Sequence, residues 1–141
     1  MTGVQTCALP ILTQVLGTLN NPEYAPIFGP DALSEAPIAA VVNAKVISGQ
    51  ADRLLVTPDA VLVVDFKTGA RVPTSVAHAP ASHIQQMVAY VAALETIFPD
   101  KRVDAALLYT AGPVLLALPP EMISETKLEL FGANISLSPA G

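Results

Sequence analysis

Basic residues are scarce in this chain: seven lysines and arginines stand against twelve aspartates and glutamates, a formal net charge of -5. No basic run exceeds the pair Lys101 and Arg102, so the sequence lacks the positive surface with which nucleic-acid binders hold phosphates. Any grip on a polyanion must come from a bound divalent cation or from other parts of a larger protein. Cysteine is nearly absent as well. The single Cys7 excludes an internal disulfide framework and a cysteine-rich zinc site. No apolar run reaches the roughly 18 to 20 residues that span a bilayer, because Pro, Asp, Asn or Gly interrupts each one. A soluble chain with no membrane partner is therefore expected. The phosphate-cradling G-x-x-x-x-G-K pattern is also missing, which leaves no recognisable ATPase motor in these residues.

What is present is apolar. Of 141 residues, 52% are hydrophobic and 13% charged, enough for one domain with a real core. Residues 1–11, MTGVQTCALPI, match the codon-by-codon reading of a widely used sequencing adapter. They are expected to be an assembly artefact and Cys7 no natural residue; residues 12–141 are then part of a domain whose gene extends upstream. The rival reading, a targeting segment, lacks the basic residues that precede the apolar run of a signal peptide.

Residues 12–20, LTQVLGTLN, read as the end of a helix closed by Asn20, Asn21 and Pro22. A loop follows through FGPDALSEAP. The β-branched run from Ile38 to Ser48 suggests a first strand, broken near Asn43 and ended or bent by Gly49. Residues 51–57 and 60–66 are two more strand candidates, separated by Pro58 and Asp59, a turn pair in which Pro presets φ and Asp bonds locally. Gly69 to Ala79 is loop. Ile84, Met87, Val88, Val91, Leu94 and Phe98 follow the 3,4 spacing of an amphipathic helix over 82–98. Ser82 and Gln85 fit a capping box at its start, and Pro99 stops it. Val103–Tyr109 and Val114–Leu118 read as strands, and Pro120 to about Leu130 as a short helix before a loose tail, SLSPAG. This order predicts an α/β domain, a mixed sheet with helices packed on it.

A symmetric turn between Pro58 and Asp59 pairs Thr57 with Ala60, Val56 with Val61 and Asp52 with Asp65. Opposed cross-strand residues share a face with Cβ atoms about 4.5–5.5 Å apart, where like charges destabilise. A divalent cation would compensate. Alternation puts Lys67 on the face of Asp65, while Leu62, Val64 and Phe66 point the other way. Two carboxylates and a backbone carbonyl suit Mg²⁺. The plain alternative is two polar-face acids paired with Arg53 and Lys67.

The segments GQADRL, VVDFKT and QMVAY together resemble the RecB-type branch of the PD-(D/E)XK nucleases, whose pattern is G-x-x-D, D-x-K and Q-x-x-x-Y. In texture they are most similar to the C-terminal nuclease domain of AddA-type helicase-nucleases, which process double-strand DNA breaks. The resemblance covers about residues 12–120. It implies a restriction-endonuclease-like fold and Mg²⁺-dependent cutting of DNA during recombinational repair in the cytoplasm. It further implies an AddB-like partner subunit and ATP use only in an upstream helicase part.

Carried across, the resemblance makes Asp52 and Asp65 metal ligands with the carbonyl of Phe66, makes Lys67 the catalytic lysine, and matches Gln86 and Tyr90 to the last motif. These last two are expected on one helical face, beside the apolar stripe and not within it. Glu35, ahead of the first strand, falls where the family often has an acid near the site, or is a plain loop residue. His78 and His83 match no family position and read as loop polarity and first-turn helix surface. The chain departs from the family at its front, where a metal-ligand histidine on an upstream helix would stand and adapter-like residues are found. A different RecB-type exonuclease, or a non-catalytic module that binds DNA or a partner, stays open.

Overall fold

Asn43 and Ala44 turn the chain back on itself with left-handed φ values of 48° and 67°, joining strands β1 (Leu33–Val42) and β2 (Lys45–Val56). Two successive left-handed residues give a hairpin turn whose twist matches that of the strands it joins. The structure, a computed structural model, describes residues 25–132. The strand expected over 38–48 is the tip of this hairpin, with Val41 paired to Val46 and Val42 to Lys45, and the break expected near Asn43 is its turn. Gly49 neither ends nor bends the strand: it lies within β2, paired with Ile38. The β-branched run concealed that this break reverses the chain because Asn43 was its sole local signal, Ala44 being an unusual occupant of that conformation. The Asn43 side chain secures the turn by donating to the Phe131 carbonyl at 2.5 Å.

The second hairpin follows expectation. Strand β3 (Ala60–Lys67) pairs antiparallel with β2, Val56 with Val61 through Arg53 with Val64, and the Thr57 amide closes the Pro58–Asp59 turn onto the Ala60 carbonyl at 2.8 Å. After a loop containing a short 3₁₀ turn, Val76–His78, helix α1 (Ala81–Ile97) crosses over to β4 (Arg102–Tyr109). The latter lies parallel to β3, as a helical crossover requires. Strand β5 (Val114–Ala117) returns antiparallel, and helix α2 (Pro120–Phe131) follows. The sheet order is β1-β2-β3-β4-β5, a mixed α/β sheet as predicted.

The expected capping box at Ser82 is not formed. The N-cap position falls on Pro80, no side chain caps the helix, and the Pro80 carbonyl takes the amides of His83 and Ile84. Proline's fixed φ starts the helix early and leaves Ser82 inside the first turn.

Both faces of the sheet are apolar. Val61 and Val63 of β3 pack with Ala105 and Leu107 of β4 against Ile84, Met87, Val88, Val91 and Leu94 of α1. On the reverse face Val64, Ala106 and Leu108 pack on Ile27, with Leu62 and Phe66 beside them. That alternation matches the facing read from sequence. Helix α2 is tied to α1 by the Lys127–Glu95 ion pair at 2.6 Å. Among the described residues no helix is long and apolar enough to cross a membrane. The expectations for residues 1–11, the 12–20 helix and the SLSPAG tail lie outside the described residues.

Candidate active site

Continuing the β2–β3 register one residue beyond its last pair, Arg53 with Val64, sets Asp52 across from Asp65. Asp52 Oδ2 accepts the Phe66 amide N–H at 2.7 Å, and Asp65 is near enough to act on the Asp52 carboxyl. Burial pushes the Asp52 carboxyl above the usual carboxylate value of 3.8; the Phe66 amide pulls it back, Asp65 pushes it further up, and the Lys67 charge lowers it. Desolvation and a like charge both penalise the ionised form. Asp65 itself is buried.

Lys67 lies on the same face as Asp65. Its Nζ is 2.9 Å from Asp65 Oδ2 and donates to Gln86 Oε1 at 2.6 Å. Thus the pairing of Asp65 with Lys67 is present, whereas Arg53 reaches the Ser34 hydroxyl and not Asp52. Gln86 Nε2 donates to the Tyr90 hydroxyl at 3.4 Å, and that hydroxyl donates to the Gln50 carbonyl at 3.3 Å. The structure therefore brings Asp52, Asp65, Lys67, Gln86 and Tyr90 together. One expectation is corrected: Tyr90 is buried within the apolar core, not beside it. Its ring packs over Gly49, and the missing Cβ there lets a large side chain enter the core with its hydroxyl still bonded.

His83 stands partly exposed in the first helical turn, as expected, but it also has a partner that the sequence did not reveal. Its Nδ1 lies 2.9 Å from the hydroxyl of Tyr109, with the ring centroids 5.9 Å apart. Tyr109 is the register partner of Lys67 on the adjacent strand. Burial and the nearby Lys67 charge hold the His83 pKa below 6.5, with Asp65 opposing, and burial raises that of Tyr109 above 10.0. The signal for this pair is non-local, since it needs the parallel β3–β4 register. His78 bonds the Ser75 hydroxyl in its own loop at 3.0 Å, as loop polarity would have it.

Glu35 is not ahead of the first strand but inside β1, between the pairs Ser34–Arg53 and Ala36–Ala51, and hence across from Asp52. Its φ of 51° lifts it out of the ladder, at a cost of about 1–2 kcal/mol for a non-glycine residue. Its Oε1 accepts from Gln50 Nε2 at 3.3 Å.

Among the described residues no three His, Cys, Asp or Glu side chains converge as a metal cluster. The donors at hand are Asp52 and Asp65, with the Phe66 peptide between the strands. Such a set is short for zinc but fits Mg²⁺, which takes one or two carboxylates and keeps several waters. The mutual strain of the two acids is what a cation would relieve.

The family model described as the PD-(D/E)XK nuclease superfamily matches residues 15–127. A search of the curated proteins found no match. Among solved structures, a presumed exonuclease from Eubacterium rectale is similar over 90% of this chain and 51% of its own, at 10% identity and a TM-score of 0.54. A structure described as SSO0001 covers 87% of this chain and 59% of its own, at 17% identity and a TM-score of 0.43, too low to carry an argument. The chain thus spans about half the length of the first and under two thirds of the second. At such identities the likeness concerns the fold.

Proposed function

Since the chain belongs to the PD-(D/E)XK nuclease superfamily, we propose that its hairpin performs metal-dependent hydrolysis of DNA phosphodiesters, as the nuclease part of an AddA-like helicase-nuclease in double-strand break repair. The observation that carries this reading is the Lys67 ammonium, fixed between Asp65 and Gln86 beside a strained acid pair. An ordinary surface ion pair would not be held by a second, half-buried partner.

In this reading Asp52 and Asp65 would hold Mg²⁺ together with the Phe66 carbonyl. The ion, when bound, would lower the pKa of a water and offset charge on the phosphoryl oxygens. Lys67 places its ammonium where negative charge develops and orients the attacking water. Gln86 fixes the lysine, and Tyr90 fixes Gln86 against the sheet through the Gln50 carbonyl. Exonuclease action is the preferred mode, and is the description given to the Eubacterium rectale protein. ATP-driven unwinding and an AddB-like subunit belong to the proposed whole protein, acting in the cytoplasm. A different RecB-type exonuclease would use the same residues.

Incubating linear DNA with the purified chain and Mg²⁺ tests the reading. Cleavage that EDTA stops and Asp65→Ala abolishes is expected. No cleavage, or equal cleavage by the variant, overturns it. The acidic net charge of -5 favours a second reading, a non-catalytic module that binds a partner; binding of DNA or a subunit without cleavage would select it.

A further inference from the structure

Three polar side chains leave one face of α1, at His83, Gln86 and Tyr90, and reach three neighbouring strands. Tyr90 bonds the Gln50 carbonyl of β2, Gln86 bonds Lys67 of β3, and His83 bonds Tyr109 of β4. The first two contacts were assigned above to holding the lysine in place. His83 has none so far, although it is close enough to Lys67 and Asp65 for both charges to act on it.

Its tautomer follows from satisfying hydrogen bonds. Tyr109 is almost wholly buried and must find a partner for its hydroxyl. Among the described residues that partner is His83 Nδ1. A neutral imidazole has one donor and one acceptor nitrogen. Were Nδ1 to donate, the Tyr109 proton would be left with no acceptor in a buried place. Nδ1 therefore accepts from Tyr109, and the proton of His83 resides on Nε2. The low pKa of His83 agrees with a neutral ring. Among the described residues nothing takes the Nε2–H, and the ring is half-exposed.

We infer that His83 is a substrate contact, its Nε2–H donating to a non-bridging oxygen of the DNA phosphodiester held over Asp65 and Lys67, with Tyr109 as the positioning residue that fixes its tautomer. This rests on the nuclease reading of the hairpin. A neutral donor suits the place, because it adds a bond to the phosphate without repelling Lys67.

Imidazole ¹⁵N spectra of the labelled chain test it. Expected are a pyridine-type Nδ1 and a pyrrole-type Nε2 for His83, and a mixture of tautomers in Tyr109→Phe. Adding a short DNA duplex with Ca²⁺ in place of Mg²⁺ should shift the Nε2 signal, and no shift across the titration overturns the inference whether or not the protein cuts. A shift in a protein that does not cut keeps the contact and removes the nuclease reading. In a chain that cuts, His83→Leu should lower kcat/KM by about 10- to 100-fold, the worth of one bond to a charged group. His83→Gln, whose amide donates from a similar position, should recover most of it at unchanged melting temperature. Equal activity of His83→Leu and wild type, or equal loss in both variants, overturns the assignment.

Discussion

A Cβ placed on Gly49 would lie 2.5 Å from the Tyr90 hydroxyl and 2.8 Å from its ring. The glycine of the G-x-x-D segment thus makes room for the tyrosine of the Q-x-x-x-Y segment, forty-one residues later in the chain.

Gly49→Ala should accordingly force Tyr90 away and break its bond to the Gln50 carbonyl. Overpacking of a tight core costs about 1–3 kcal/mol, and urea unfolding would measure it. The same substitution should cost less in a Tyr90→Ala background, because the two residues are in contact. Additive losses would show that the contact is not the cause.

Gln86→Leu removes the acceptor that holds Lys67 Nζ at 2.6 Å. Lys67 keeps its charge and Asp65, so DNA should still bind while the ammonium wanders. A fall in kcat of about 10- to 100-fold with little change in KM is expected, since loss of positioning acts on the transition state. Single-turnover cleavage measures it, and a change confined to KM would refute it.

Asp52 carries a folded-state pKa raised above its unfolded value of 3.8, chiefly by burial. The sign follows from linkage: the folded form binds the proton more tightly, so metal-free stability falls as pH rises from 3.8 through the folded value and stays lower above it. Mg²⁺ should therefore raise the melting temperature more at pH 7 than at pH 4. A bound ion at 100 times its Kd adds about 2.7 kcal/mol. Asp52→Asn should raise the metal-free melting temperature at pH 7 and suppress the Mg²⁺ shift, as a thermal scan in EDTA and in Mg²⁺ would record.

For His83 the shift runs the other way. Its folded pKa lies below 6.5 because burial and Lys67 disfavour the charged ring. The unfolded chain then binds more protons below pH 6.5, and stability falls as pH drops from 6.5 toward the folded value. His83→Gln should flatten that part of the stability-versus-pH curve; an unchanged slope would assign it to another group.

The β2–β3 hairpin was legible because its turn chemistry is local: Pro58 and Asp59 set the register, and the register set Asp52 against Asp65. Of the β1–β2 hairpin only the break at Asn43 was legible, because Ala44 occupies a conformation that its side chain does not advertise. Ser82 misled for a related reason, a good cap that a proline two residues earlier had displaced. Tyr90 read as a polar-motif residue until the space above Gly49 was visible. The contact made by His83 was out of reach altogether. Its partner Tyr109 comes beside Lys67 through a parallel pairing across the α1 crossover, and no spacing within either segment encodes that.

One helix face delivers His83, Gln86 and Tyr90 to three strands at once. A turn of α1 by a single residue, about 100°, would withdraw all three together, so these three contacts form or fail with one docking event. Under the proposed nuclease reading, support of Lys67 would then depend on the docking of that helix, and a chain in which it had not docked would be a poor cutter of any DNA it met.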